Sequence, residues 1–397
     1  MLLGPGGDGV SVVAAAAAVG PRSSGRSASD HTLLITCDRH SQTANRLGVY
    51  SKTAVPVEVS SSLSLLELDP LAVTEQTWGE FAEALSMTQS HAGPILPVVS
   101  SLAAVAPGEL ISLPGVEDLL LLRRVRDEAT SGRWTSVIVD CSGQRDPLAL
   151  LRAPAVLSQA LNRLWPRHRR LAAASERPMM ARLTSAVDQL DGDCRDIAAL
   201  LADPHTTAAH LVVGAGSRSM AVLTAQLASA ALMGLPVRTV FVSGGDAADH
   251  ERIAALAGDA IDVVAVPKVV DPLDRSGRLR KLGVTLSAPG GRPFGSAAAR
   301  VDLIAGSDLD AIYEMRWHQP LPEPDRLGLG RSDDDLLVTV SGFRYPVRLP
   351  SVLRRCVVTE AAWESGVLRI RFAPNPAVWP QKPEQKKTAS KKSVRKT

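Results

Sequence analysis

Leu33-Leu34-Ile35-Thr36-Cys37-Asp38 is a short run of apolar and β-branched residues closed by a carboxylate. With no polar alternation inside it, such a run reads as a strand covered on both faces. Val137-Ile138-Val139-Asp140 repeats the pattern farther along. Working outward, Thr32–Cys37, Ser64–Leu68, Thr135–Val139, His210–Val213, Val237–Val242 and Ile261–Val266 read as strands. Helical patterns lie between them. Glu117–Ala129 begins after Pro114-Gly115 and stops at Gly132, and Ser217–Met233 stops at Gly234 and Pro236. Strands alternating with helices predict an α/β fold with a mostly parallel sheet. Such a sheet presents Asp38 and Asp140 at its C-terminal edge, where open α/β sheets bind ligands. One carboxylate there suits orienting a water and the other holding Mg²⁺; the competing use of Asp at a strand end is a cap or turn.

A second element belongs to the same edge. Gly4-Pro5-Gly6-Gly7-Asp8-Gly9-Val10-Ser11 follows Met1-Leu2-Leu3 and opens an alanine-rich helix. A glycine loop before a helix lets backbone N–H groups face a phosphate. The glycine frame of Gly4, Gly6, Gly7 and Gly9 is present and Ser11 supplies a hydroxyl, but Val10 stands where a lysine is needed and Asp8 adds negative charge. A plain glycine-rich turn is the competing reading.

The stretch Ala155–Asp203 carries no strand pattern and predicts a helical insertion. Its apolar face, with Met179-Met180, suits a client groove or ordinary packing. Ala288–Gly295 and Gln319–Gly330 read as connections. Beyond them the period becomes two. Leu336–Val340, the pair Ser341-Gly342 and Phe343–Leu349 form a hairpin pattern, and Leu368, Ile370 and Phe372 alternate with Arg369 and Arg371. These predict a small C-terminal β-sandwich. The expected division is 1–305, 308–378 and a tail, 381–397.

The net charge of +3 hides an asymmetry: residues 381–397 carry seven Lys or Arg against one Glu, which leaves −3 for residues 1–380. The tail predicts disorder, with contact to an anionic surface, nucleic acid or membrane, or a solvated tail with no partner as the two readings. Cys37, Cys141, Cys194 and Cys356 are scattered without a C-x-x-C pair, which argues against a zinc clamp and suits a reducing, cytoplasmic setting. The apolar run Val10–Val19 is about half of a membrane span. As a signal peptide it lacks preceding positive charge. The eight histidines show no metal spacing.

The order of the glycine loop, Leu33–Asp38, Ala106-Pro107-Gly108-Glu109, Leu113-Pro114-Gly115-Val116, Ser131-Gly132-Arg133-Trp134 and Val137–Asp140 resembles the arsenite-pump and tail-anchored-protein-targeting ATPases. Leu337–Phe372 is similar to the small-heat-shock-like domain that ends many bacterial members. The resemblance implies a P-loop-NTPase-like fold, ATP and Mg²⁺ as cofactors, and a homodimer or a heterodimer with a paralogue. By it, Asp38 falls on the water-orienting switch I aspartate, Asp140 on the switch II aspartate, and Ser11 on the Mg²⁺-binding hydroxyl. The family loop G-K-G-G-V-G-K-T-T places Pro5 and Val10 where it carries lysines. Arg39-His40 replace a usual Pro-Ala, Cys141-Ser142-Gly143-Gln144 a Thr-Ala-Pro-Thr, and Ser243 an adenine-reading Asn. Arg39 and Arg145 are the candidates for a replacement charge. The short opening strand implies a late start or a stunted strand. The expectation is a weak or non-catalytic, chaperone-like interaction subunit, against an active targeting or anion-handling ATPase or a polyanion binder acting through the tail. Scattered thiols give arsenite no ligand set.

Overall fold

The computed structural model describes residues 1–5, 9–20, 30–38, 40–89, 104–109, 115–144, 146–176, 180–267, 272–290, 299–318 and 326–379. Eight strands form one sheet: β1 (Leu2–Leu3), β2 (Thr32–Thr36), β3 (Val57–Ser60), β4 (Leu63–Glu67), β5 (Ser136–Asp140), β6 (Ala209–Gly214), β7 (Val237–Ser243) and β8 (Asp262–Val266). Their order is β3-β4-β2-β5-β1-β6-β7-β8. All neighbours run parallel except β3 and β4. β1 is short but central, and Leu2 and Leu3 are fully buried between β5 and β6.

Two apolar layers cover the sheet because its strand residues point alternately to opposite faces. On one face lies α1 (Val10–Val19), whose Ala14, Ala15 and Ala16 are wholly buried against Leu2, Leu34 and Val212. Alanines let this helix approach the strands closely. On the other face, α4 (Val116–Thr130) contributes Leu119, Leu121 and Leu122, and α5 (Pro147–Leu164) contributes Leu148, Leu150 and Leu151. Each such side chain contributes about 1.5–3 kcal/mol by leaving water. Between α1 and α4 the chain forms α2 (Thr43–Leu47) and α3 (Pro70–Gln89).

The expected helical insertion is the end of α5 followed by α6 (Arg167–Glu176) and α7 (Met180–Ala202). Fully buried Arg170 holds it together, donating from Nε to Asp188 at 2.8 Å and from Nη1 to the Trp165 carbonyl at 2.7 Å. Cys194 and Ile197 of α7 are buried in the same core as α4 and α5, so this face serves packing. Met179 lies outside the described residues.

The chain then adds α8 (Ser217–Met233), α9 (Ala247–Ala257) and α10 (Ser276–Arg280) before turning antiparallel. One sheet has the order β14-β15-β10-β9, from β9 (Arg300–Ala305), β10 (Ile312–His318), β14 (Cys356–Glu364) and β15 (Val367–Pro374). The other is β11-β12-β13, from β11 (Leu327–Ser332), β12 (Asp335–Val340) and β13 (Phe343–Arg348). The antiparallel part thus starts at Arg300, ahead of the boundary expected at 305–308. Ser341 and Gly342 both take positive φ, 49° and 85°, as a two-residue hairpin turn requires. Ser365 and Gly366 do the same between β14 and β15. Leu368, Ile370 and Phe372 are wholly buried, as their alternation predicts. Pro346 falls on β13, an edge strand, where its missing N–H costs no ladder bond.

This sandwich shares its core with the α4–α5 face of the large sheet. Arg152 of α5 sits 4.7 Å over the Phe343 ring and donates to the Arg344 carbonyl at 3.0 Å. Arg163 pairs with Asp333.

Candidate functional site

The register pairs Asp140 of β5 with Thr36 of β2 on one side and Leu2 of β1 on the other. The segments that leave these three strands therefore meet at one edge of the sheet. Gly4 leaves β1 so close to its neighbours that an added Cβ would stand 2.6 Å from both Val10 Cγ2 and the Val212 carbonyl oxygen. Gly9 takes the left-handed region at φ 87°, and its carbonyl accepts the first helical bond, from Val13 N–H at 2.9 Å. Gly6, Gly7 and Asp8 lie outside the described residues. Pro5 is exposed, whereas Val10 is 3% exposed and points into the core with Leu2 and Ala44.

At the second residue of α1, Ser11 Oγ lies 2.8 Å from Ser142 Oγ. Ser142 N–H in turn donates to Asp140 Oδ1 at 2.9 Å. The other carboxylate oxygen, Asp140 Oδ2, is buried with no hydrogen-bond partner. Asp140 is 1% exposed. Burial pushes its pKa above the ordinary range, against the opposing bonds from Ser142; Asp38 adds repulsion, and the Ser11 hydroxyl opposes it. Asp38 is half-buried, accepts from His40 N–H at 2.9 Å, and lies against Gly143. A Cβ on Gly143, whose φ is 77°, would fall 2.5 Å from Asp38 Cγ. Gln144 Nε2 reaches back to the Cys37 carbonyl at 3.3 Å and ties the two loops.

The structure thus gathers Asp38, Asp140, Ser11, Gly4 and Gly9 at one edge. Ser142 and Gly143 join them, though neither stood out as a site residue. The sequence signal was their position immediately beyond a strand-ending Asp. Ser243 ends β7 and is half-buried. Among the described residues, no Lys or Arg pairs with Asp38 or Asp140. Arg39 and Arg145 lie outside them. No group of three or more His, Cys, Asp or Glu there is placed to hold a metal.

One expectation needs correction. The thiols are not all scattered: Cys37 and Cys141, far apart in sequence, follow adjacent strands and share one apolar cluster. The register of β2 and β5 brings them together, which spacing alone does not reveal. The Ser131–Trp134 stretch is locked to the end of α4. Trp134 Nε1 donates to Glu128 at 2.9 Å, while Arg124 and Arg133 pair with the same carboxylate. Burial alone would raise the Glu128 pKa, but these partners hold it below the usual range.

An unpartnered buried carboxylate oxygen beside a serine hydroxyl is an oxygen set that fits Mg²⁺. No helix among the described residues is long and apolar enough to cross a membrane. Residues 1–248 match the family model described as anion-transporting ATPase, and residues 310–372 that of the HSP20-like domain found in ArsA. Protein Rv2184c of Mycobacterium tuberculosis is 32% identical over 96% of this chain and 97% of its own length. The uncharacterized protein SCO2128 of Streptomyces coelicolor is 32% identical over 96% of this chain and 98% of its own. A putative arsenical pump-driving ATPase of Chlorobaculum tepidum is 23% identical over 60% of this chain and 59% of its own.

Proposed function

This chain belongs to the anion-transporting ATPase family, and on that premise we propose that it is a hydrolysis-impaired member acting as a chaperone-like interaction subunit. The observation that carries the reading is Val10. Its side chain is buried in the core at the position where, by the resemblance, the family loop carries a phosphate-binding lysine. Phosphoryl transfer depends on positive charge set against the phosphate oxygens. Losing one preorganised donor typically costs about 10²–10³ in rate.

Binding is a separate matter from turnover. Ser11 and Asp140 retain the oxygens that would hold Mg²⁺, with Ser142 alongside. Bound there, the ion would supply charge neutralisation to a nucleotide phosphate. Ser142 N–H orients Asp140 by bonding Oδ1, which leaves Oδ2 free for the cation. Gly143, which has no side chain, leaves the space that Asp38 fills. The role follows as nucleotide-gated association, in a homodimer or with an active paralogue that completes the reaction. The HSP20-like domain, docked on α5 directly after the Cys141–Asp146 loop, supplies a surface for a client protein.

Titration with ATP and Mg²⁺ tests this reading. Nucleotide should raise the melting temperature, while the hydrolysis rate should match that of an Asp38→Asn variant. A Mg²⁺-dependent turnover of about 1 per second that collapses in the variant would instead identify an active ATPase.

A further inference from the structure

At the edge of the large sheet away from Asp38 and Asp140, the first residues of β2 and β4 stand in register, Thr32 beside Leu63. A cavity of about 530 Å³ lies there, between the C-terminal end of α1, the β3–β4 turn and α10. Ligand cavities run from about 300 to 1,000 Å³, so a small organic molecule has room in it. Its apolar wall includes Ala18 of α1, Val59 of β3 and Leu63 of β4, and its polar side includes Ser62, Ser276 and Arg280. Arg280 Nε donates to the Val19 carbonyl at 3.1 Å, which anchors the guanidinium at the end of α1. Among the described residues, the two terminal nitrogens of Arg280 pair with no carboxylate, and the Ser62 and Ser276 hydroxyls have no partner. The other polar groups are engaged: Thr32 Oγ1 lies 3.0 Å from Ser136 Oγ, and Asp30, on the same lining, has its own interaction. Arg280 and Ser60 are exposed, so the cavity opens to solvent beside them.

We propose that this cavity binds a small organic monocarboxylate, with its anionic head on Arg280 and a short apolar body against Ala18, Val59 and Leu63. A guanidinium offers its donors in a planar fork that matches one carboxylate through two parallel hydrogen bonds. With Nε held by Val19, the fork left for a ligand is the pair of terminal nitrogens. The Ser62 and Ser276 hydroxyls line the same space and supply further donors for the carboxylate lone pairs. The charge of the lining decides against a dianion: it holds one cation, and the Asp30 carboxylate would repel a second negative charge. The apolar wall decides against a bare inorganic anion, because it would then stay unfilled. α1 has ten residues, about 15 Å of helix, and the glycine loop with Ser11 lies at its other end. The site is therefore separate from the one at Asp140 and stands whether or not nucleotide binds.

The test titrates the full chain with hexanoate, hexanol and hexyl phosphate in turn, followed by saturation-transfer NMR. Hexanoate should bind saturably and more tightly than either of the other two. Arg280→Gln should weaken hexanoate by about 10–100-fold, the range expected for losing hydrogen bonds to a charged group. Ser62→Phe, which fills the cavity from the β3–β4 turn, should abolish binding, and circular dichroism should be unchanged in both variants. Absence of saturable hexanoate binding, tighter binding of hexanol or hexyl phosphate, or hexanoate binding indifferent to either substitution overturns the proposal. Should Ser62→Phe fail to fold, Arg280→Gln decides alone.

Discussion

Asp140 at the edge of the parallel sheet and Glu314 on the outer sheet of the sandwich are both carboxylates nearly hidden from water, 1% and 3% exposed. Their surroundings are opposite. Glu314 accepts from Arg316 Nε at 2.6 Å and Arg371 Nε at 3.3 Å, and the bond from Arg316 leads the causes that hold its pKa below the usual range. Among the described residues Asp140 has no cation and keeps one oxygen unpartnered, and burial raises its pKa. A covered carboxylate with its own arginines is part of the scaffold. One left incomplete by the protein costs stability, and a ligand's cation is the natural completion.

The missing cation is the point at which this contrast is most easily broken. Val10→Lys would place an ammonium at a 3% exposed position, and an uncompensated buried charge costs about 3–5 kcal/mol. Chemical denaturation without nucleotide should show that loss. Unchanged stability would mean that side chain 10 reaches the glycine loop, and the site would then be closer to an ATPase than proposed.

Asp140→Asn sharpens the contrast from the other side. Removing a buried charge with an unsatisfied oxygen should stabilise the Mg²⁺-free protein by about 1–3 kcal/mol and abolish Mg²⁺-dependent nucleotide binding. The pH dependence follows the same logic. A raised folded pKa gives stability that is present below the unfolded value and lost as pH rises through the folded one. The variant should therefore lose that decline. A destabilised variant would show Asp140 to be a scaffold residue like Glu314.

Glu314→Gln should go the opposite way and by less. Its arginines are about half exposed and remain solvated, so the expected loss is about 1 kcal/mol. With a depressed folded pKa, the Glu314 contribution is present above the unfolded value and lost as pH falls through the folded one. Urea titrations at neutral and acidic pH would resolve it, and a gain at neutral pH would undo the comparison.

The smallest effect is expected at the tail. Truncation after Pro380 should leave the melting temperature unchanged and abolish low-salt binding to anionic vesicles or DNA. A lowered melting temperature would show that the tail packs on the body.

Much of this architecture was legible because it rests on short-range physics. Apolar runs without alternation form strands covered on both faces, and Leu33–Asp38 and Val137–Asp140 do so wherever they pair. Ser341-Gly342 makes a hairpin because glycine and one strained neighbour take positive φ locally. That residue 10 is a valine is likewise a property of the chain. Whether that position is buried, which carboxylate oxygen goes without a partner, that Ser142 meets Ser11, and that Cys37 meets Cys141 were decided only by tertiary structure. Each depends on the register between strands distant in sequence. A register slip of one residue would turn every one of these side chains to the other face, and nothing within a single strand encodes its partner's alignment.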